Sequence, residues 1–214
     1  MRKNNVLAFL ASLLTFAWMP SAIQAQQQTD VALSVYGAFS NTVGKNNANL
    51  IQDSPSNSAG GMIELRHIHS PFIGYEVAYS FNRANQVYAI SVSCFVNSQC
   101  PTPVIVSANA HEITGDWVLS AHSKKLRPFV LAGAGILLSV PVSGLSEGQY
   151  PQPVQSSDTA VYVYGVGLDW KLLPHLGLRF QFRGNIHRAP YYTSVSSDPF
   201  THTSEPAIGV YYKF

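Results

Sequence analysis

Apolar and polar residues alternate with a period of two along most of this chain. The stretch at 201–214 shows the pattern well. One face of it is apolar or amphipathic and consists of Pro206, Ile208, Val210, Tyr212 and Phe214. The other face is small, polar or charged and consists of Glu205, Ala207, Gly209, Tyr211 and Lys213. Such alternation predicts a β-strand with two unlike faces, and an apolar face that ends on Phe favours lipid outside and a polar interior inside.

The same alternation predicts seven further strands. We place them at residues 30–40, 59–69, 72–82, 105–120, 126–139, 159–170 and 176–186. The strand at 126–139 is apolar on both faces. We assign Phe129, Leu131 and Leu137 to its outer face, and the small Ala132 and Ala134 to its inner face.

The connections between these strands differ in length in a regular way. Short turns at 70–71, 121–125 and 171–175 alternate with long connections at 41–58, 83–104, 140–158 and 187–200. A soluble sandwich has no reason to sort its loops in this way, whereas a membrane barrel has short periplasmic turns and longer external loops. We therefore predict an all-β fold, an eight-stranded antiparallel up-and-down transmembrane β-barrel with both ends of the chain on the short-turn side.

The first 25 residues have the features of an export signal. Arg2 and Lys3 precede an apolar run at 6–19, and Ala25 offers a cleavage point. We expect a signal peptide at 1–25 and an outer-membrane barrel domain at 26–214. The alternative, a single membrane-anchor helix, requires a longer apolar run.

Composition narrows the class of protein further. Only 11% of the residues are charged, whereas globular proteins average about 25%. Without Arg2 and Lys3, 11 basic residues balance 11 acidic ones, and no basic patch indicates nucleic-acid binding. No later segment has about 18 consecutive apolar residues, so the sequence predicts no transmembrane helix after the signal.

Charged residues recur on the inner faces of the predicted strands. We call this set the lumen charge network: Glu64, Arg66, Glu76, Glu112, Asp116, Asp169, Arg179, Arg183, Glu205 and Lys213. An eight-stranded barrel is just wide enough for its own side chains to fill it, and unpaired buried charges are costly. The network either closes the lumen with ion pairs or lines a narrow gated ion path, and the strand count favours closure.

Aromatic residues occupy outward-facing positions: Tyr75, Tyr79, Trp117, Tyr162, Trp170, Tyr212 and Phe214. Several of them lie near predicted strand ends, where membrane barrels carry aromatic belts at the lipid interface. Lipid anchoring is therefore favoured over a stacking platform for nucleic acids or sugars.

Two cysteines and two histidines are candidates for a disulfide bond or for metal coordination. Cys94 and Cys100 both fall in the connection at 83–104, and in an exported protein we expect them to form a disulfide. The alternative is a metal site with a nearby histidine, but no second CxxC or HxxxH accompanies them. His67 and His69 share a face, yet two ligands alone make an unspecific site. We expect no bound metal or cofactor.

Residues 202–205 contain one candidate catalytic group. His202 and Ser204 share outward parity, and Glu205 follows them. Lipid A deacylases of the outer membrane use a His-x-Ser pair with a Glu on a lipid-facing surface, and a serine nucleophile needs a histidine and an orienting acid within reach. Because Glu205 has the opposite parity, we expect no enzyme and keep a lipid A deacylase-like activity as the alternative.

Five segments carry a family resemblance: RPFVLAGAG at 127–135, YGVGLDW at 164–170, LRFQFRG at 178–184, RGNIHRAP at 183–190 and GVYYKF at 209–214. They resemble the OmpA-like and OmpX-like outer-membrane β-barrel proteins, especially small bacterial members. The resemblance covers essentially the whole mature chain and is more specific for fold and export than for function.

This resemblance implies a location, a route and a class of role. A family member would cross the periplasm with chaperones and be inserted into the bacterial outer membrane by the barrel assembly machinery. That machinery would read the final strand, here Val210, Tyr212 and Phe214. OmpX-like members act in adhesion or serum resistance through protruding loops, so we expect a structural or adhesion-like role with membrane lipid and an extracellular ligand as partners. A small pore is a further alternative.

Overall fold

The computed structural model describes residues 27–43, 51–70, 72–90, 104–121, 125–142, 155–190, 192 and 200–214. These residues form strands β1 (Gln28–Val43), β2 (Ile51–Pro55), β3 (Ser58–Ile68), β4 (Ile73–Ile90), β5 (Val104–Ser120), β6 (Leu126–Pro141), β7 (Ser157–Lys171), β8 (Leu176–Arg188) and β9 (Phe200–Lys213). No helix in this part of the chain is long and apolar enough to cross a membrane. The predicted signal peptide at 1–25 lies outside the described residues.

Eight of the strands close into a barrel. β1 pairs with β3, the strands from β3 to β9 pair in chain order, and β9 pairs with β1, all antiparallel. A closed sheet leaves no unpaired edge in hydrocarbon, which is the condition for β-structure to span a membrane. The predicted eight-stranded antiparallel barrel is therefore confirmed.

The remaining strand, β2, lies in the first long connection, where we predicted no strand. It pairs with the far end of β4, from Ile51 opposite Ile90 to Pro55 opposite Gln86. β3 reaches only as far as Asn82 of β4, so the backbone of β4 beyond that point needs another partner. β2 supplies it.

The barrel has two unlike ends. At the short-turn end lie the short connections, and there the Phe214 amide donates to the Thr29 carbonyl at 3.0 Å. β4 and β5 are 18 and 17 residues long, and they reach the opposite, long-loop end. A tilted strand needs about 9–11 residues to cross the hydrocarbon, so this hairpin extends beyond it.

The outer face of the barrel is apolar. Leu33 and Trp117 are 64% and 68% exposed on it, and the aromatic residues predicted for the belts are all exposed: Tyr75, Tyr79, Trp117, Tyr162, Trp170, Tyr212 and Phe214. In water such a surface would be unfavourable, whereas in lipid it is the expected outside of a barrel.

Strand β6 has the opposite orientation to the one we predicted. Phe129, Leu131 and Leu137 point into the barrel and are at most 7% exposed, whereas Ala132 and Ala134 face outward. Because both faces of β6 are apolar, alternation could not assign them.

Two glycines of β7 explain the orientation of β6. A Cβ atom on Gly167 would collide with the Phe129 ring, and one on Gly165 would lie 3.3 Å from Leu131. The two glycines therefore leave the space that the large inward side chains of β6 fill.

Candidate functional site: the charged barrel interior

Arg179 of β8 is the centre of the ion pairs in the short-turn half of the lumen. Its Nη2 donates to Asp30 Oδ1 and its Nε donates to Asp169 Oδ1, both at 2.8 Å. Its Nη1 lies 3.6 Å from Glu76 Oε2 and 3.7 Å from Glu64 Oε1. One fully buried guanidinium thus faces carboxylates from β1, β3, β4 and β7, and these contacts cross-link the barrel through its middle.

Arg66 of β3 lies beside Arg179. Its Nε and Nη2 are 2.7 and 2.6 Å from Glu76 Oε2, and its Nη1 is 3.2 Å from Asp169 Oδ2. The guanidinium also lies over the Phe129 ring, with Cζ 3.9 Å from the ring centroid. A cation–π contact is strongest where water is excluded, so the inward Phe129 helps to hold the cation in the barrel interior.

Arg183 of β8 contacts a second cluster of acidic residues, closer to the long-loop end. Its Nη2 lies 3.6 Å from Glu112 Oε1 and 3.7 Å from Asp116 Oδ2, and donates to Thr114 Oγ1 at 3.1 Å. Its Nη1 lies 2.8 Å from the sulfur of Met62. The two β8 arginines therefore contact different acids.

Most of the predicted lumen charge network takes part in these contacts: Glu64, Arg66, Glu76, Glu112, Asp116, Asp169, Arg179 and Arg183. Glu205 is buried near Arg183 but has no ion pair within 4.0 Å among the described residues, and Lys213 is half-buried at the short-turn end. Sequence reasoning missed Asp30. Its position shares the inward parity of Ser34 and Tyr36, which could have identified it.

Acidic groups outnumber basic ones in the buried part of the described interior. The buried acids are Asp30, Glu64, Glu76, Glu112, Asp116, Asp169 and Glu205, and the buried arginines are Arg66, Arg179 and Arg183. The half-buried Arg127 and Lys213 add positive charge at the short-turn end. The deficit of positive charge is therefore greatest around Arg183, toward the long-loop end.

Beyond Arg183 the interior opens into a cavity at the long-loop end, which we call the mouth cavity. Its volume is about 70 Å³. Its wall includes Tyr36, Glu112, Asn185, Tyr192 and Glu205. Tyr192 lies outside the strands, and burial raises the pKa of its hydroxyl, so the group stays neutral near pH 7.

The barrel wall separates the residues of the candidate catalytic group. On the outer face, His202 Nε2 lies 2.7 Å from the Tyr164 hydroxyl. Ser204 is opposite Gly184 in the sheet, whereas Glu205 points inward and is buried. A Ser–His–acid relay needs its three groups within hydrogen-bond reach, and this arrangement does not provide one.

His67 and His69 have separate polar neighbours. His67 Nδ1 lies 2.8 Å from Thr29 Oγ1, and His69 Nδ1 lies 3.4 Å from Gln27 Nε2. Across the described ranges, no group of three or more His, Cys, Asp or Glu residues is arranged to hold a metal ion.

Two further predictions concern positions that the structure leaves untested. Cys94 and Cys100 lie outside the described residues, so their disulfide stays a prediction. Val210, Tyr212 and Phe214 are exposed on the outer face of β9, and their role as an assembly signal likewise stays a prediction.

Comparison with solved structures shows a shared fold. The chain is similar to Ail, the attachment invasion locus protein of Yersinia pestis, solved in complex with the heparin analogue sucrose octasulfate. The identity is 13% and the TM-score 0.52, over 88% of this chain and 99% of Ail. For Neisserial surface protein A the identity is 14% and the TM-score 0.55, over 87% and 97% of the two chains. For the outer membrane protein OprG from Pseudomonas aeruginosa the identity is 10% and the TM-score 0.53, over 87% of this chain and 96% of OprG.

No protein-family model matches this chain. No curated protein matches it either. At identities of 10–14% the structural similarity establishes the fold alone. The chain therefore has the fold of the small bacterial outer-membrane β-barrels, and its apolar outer face is the surface that such a barrel presents to lipid.

Proposed function

We propose that this chain is an outer-membrane barrel with a closed lumen, whose structural or adhesion-like role is carried by its long external connections. The observation that supports closure most directly is the ion-paired centre of the barrel. Arg66 and Arg179 are fully buried there and contact acids on β1, β3, β4 and β7. A continuous water path would have to separate these charges, which is costly in so narrow a barrel.

The proposal includes an export route and a membrane environment for the barrel. Residues 1–25 are removed on export, outer-membrane lipid covers the apolar face, and periplasmic chaperones deliver the chain to the barrel assembly machinery. Val210, Tyr212 and Phe214 supply the final-strand signal. Their exposure on one face of β9 leaves them accessible before the membrane covers them.

Planar-bilayer recording tests the closed lumen. We expect no stable unitary conductance from the wild-type barrel. Arg179→Ala should produce unitary events, because it removes the cation that faces four carboxylates. The matched control, Arg83→Ala, changes an exposed arginine of β4 and should stay silent. Stable conductance of the wild type would contradict closure and favour the small pore.

The charge of the long connections bears on the kind of surface that they could contact. The connections at 41–58, 83–104, 140–158 and 187–200 contain Lys45, Arg83 and Arg188 against Asp53, Glu147, Asp158 and Asp198. Ail was solved with a sulfated heparin analogue, but near-balanced charge does not favour a polyanion here. We propose an uncharged protein or carbohydrate surface as the ligand.

Replacement of the long connections tests the surface role. Each is exchanged in turn for a short Gly-Ser linker, and adhesion of expressing bacteria to cultured host cells is measured. We expect at least one replacement to abolish adhesion while heat-modifiable gel migration shows a folded barrel. The same exchange at the short turn 172–175 should leave adhesion intact. Adhesion no better than that of a strain lacking the protein would contradict the surface role.

A further inference from the structure

We infer that the mouth cavity is a binding site for a small organic cation, a primary ammonium compound with a short alkyl part. Such a ligand would be held inside the barrel mouth, so this site is distinct from the surface contacts proposed for the long connections.

One buried polar atom of the cavity wall, the Asn185 amide oxygen, lacks a hydrogen-bond donor. Asn185 is 1% exposed, and its Nδ2 donates to Glu112 Oε1 and Oε2 at 3.2 and 3.0 Å. These bonds fix the orientation of the amide, and its Oδ1 then has no hydrogen-bond partner among the described residues. Because a buried acceptor without a donor is destabilising, this site favours a ligand that brings N–H groups.

Basic side chains are few around the acidic residues of the mouth cavity. Arg183 is shared between Glu112 and Asp116 at 3.6 and 3.7 Å, and the buried Glu205 has no ion pair within 4.0 Å in the described part of the chain. Among the described residues that line the cavity there is no lysine or arginine. His187 also lines the cavity, and its Nδ1 lies 2.8 Å from the Arg188 carbonyl oxygen. Three carboxyl groups therefore share one guanidinium, and a bound cation would supply positive charge that the wall lacks.

The size and lining of the cavity favour an organic cation over a bare metal ion. A cavity volume of about 70 Å³ is several times the space that one water molecule or bare ion needs. Ala38, Ala108 and Leu137 form an apolar wall beside the Tyr36 and Tyr192 rings, which suits an alkyl chain and a cation–π contact. An ammonium group has three N–H donors, and the Glu112 and Glu205 carboxylates with the Asn185 Oδ1 offer acceptors for them.

The floor of this site is Arg183 with the acids that it contacts. Arg179 and Arg66 fill the lumen further toward the short-turn end. A ligand can therefore enter from the long-loop end and be retained without crossing the membrane.

Calorimetric titration of the full barrel in phospholipid nanodiscs tests the inference with 1-butylammonium as the probe. We expect saturable binding of one ligand per barrel, and none of the neutral 1-butanol. Glu112→Gln and Glu205→Gln should each weaken binding by about tenfold or more, because each removes a charge-assisted hydrogen bond. The matched control is Glu64→Gln, which changes an equally buried acid bonded to Ser34 and Gln181 in the other half. It should change the affinity by less than about twofold.

A second variant protects the test against misfolding of the charge variants. Ala108→Leu fills the apolar wall without changing any charge, and it should abolish binding while heat-modifiable migration stays normal. Absence of saturable binding to the wild type, equal binding of 1-butanol, or unchanged affinity in the folded Glu and Ala108 variants would overturn the inference. Binding of calcium with no binding of 1-butylammonium would overturn the organic ligand. Conductance is recorded separately, so failure here leaves the closed lumen unaffected.

Discussion

At the scale of single residues, Phe129 shows how a side chain can be placed by neighbours distant in sequence. Its ring fills the space beside Gly167 of β7 and supports the Arg66 guanidinium of β3. Neither contact can be read from the local pattern, because both faces of β6 are apolar. The inward orientation became visible only when the three strands were brought together.

Phe129→Ala should lower the free energy of unfolding by about 3–5 kcal/mol, because it leaves a cavity next to a buried cation. The control is Val130→Ala, which shortens the adjacent lipid-facing side chain and should cost about 1 kcal/mol. Urea unfolding of both variants in lipid vesicles measures the difference. Equal losses would show that the inward ring has no special role.

The pairing of acids with bases could not be predicted residue by residue. Parity identified the inward charges, but Arg66 and Asp169 are 103 positions apart and meet across the barrel rather than along one strand. Strand tilt and register decide such a meeting. The sequence pattern contains neither.

At the scale of elements, the ladder between β1 and β9 has a gap. Tyr36 pairs with Ala207 and Phe39 with Ser204, whereas Gly37 and Ala38 have no registered partner on β9. Pro206 lies in this gap, and proline has no amide hydrogen to donate to a neighbouring strand. The gap in the seam that closes the barrel therefore lies beside the mouth cavity.

Pro206→Ala should restore a backbone donor at position 206 and close the gap in the ladder. Hydrogen exchange should then slow by about tenfold at whichever of the Gly37 and Ala38 amides points toward β9. The amides of Leu33 and Val35, lower on the same strand, serve as the internal reference and should not change. Exchange measured by NMR on the barrel in nanodiscs distinguishes these positions. If Gly37 and Ala38 exchanged at the wild-type rate, the gap would have another cause.

Sequence periodicity located the eight barrel strands but not their full extent. β4 continues to Ile90, past its predicted end at residue 82, and β2 pairs with that extension. Neither segment has the apolar alternation that lipid imposes, because both lie beyond the membrane. Their strand structure depends on pairing with each other, which a local pattern does not report.

At the scale of the whole molecule, the sorting of short and long connections was enough to predict the topology. The antiparallel order and the closure between β1 and β9 follow from it. It also predicts that the β4–β5 hairpin, with Cys94 and Cys100 in its connection, lies outside the cell.

A membrane-impermeant maleimide should label intact cells at Cys94 and Cys100 only after reduction, because we expect these thiols to be paired. The control is Leu173→Cys, placed in the exposed short turn of a chain in which both native cysteines are serine. It should be labelled only after the outer membrane is permeabilised. Labelling of the native cysteines without reductant would refute the disulfide, and labelling of Leu173→Cys on intact cells would reverse the orientation.

The long-range ion pairs also have a consequence for how the protein is made. Asp30 pairs with Arg179, which is 149 positions later in the chain, so an incomplete sheet holds charged groups without their counter-ions. Exposing them to hydrocarbon would be prohibitive. Biogenesis should therefore proceed with a hydrated, unsealed cylinder, and the last hydrogen-bonded seam and the central ion pairs should form in a single cooperative event.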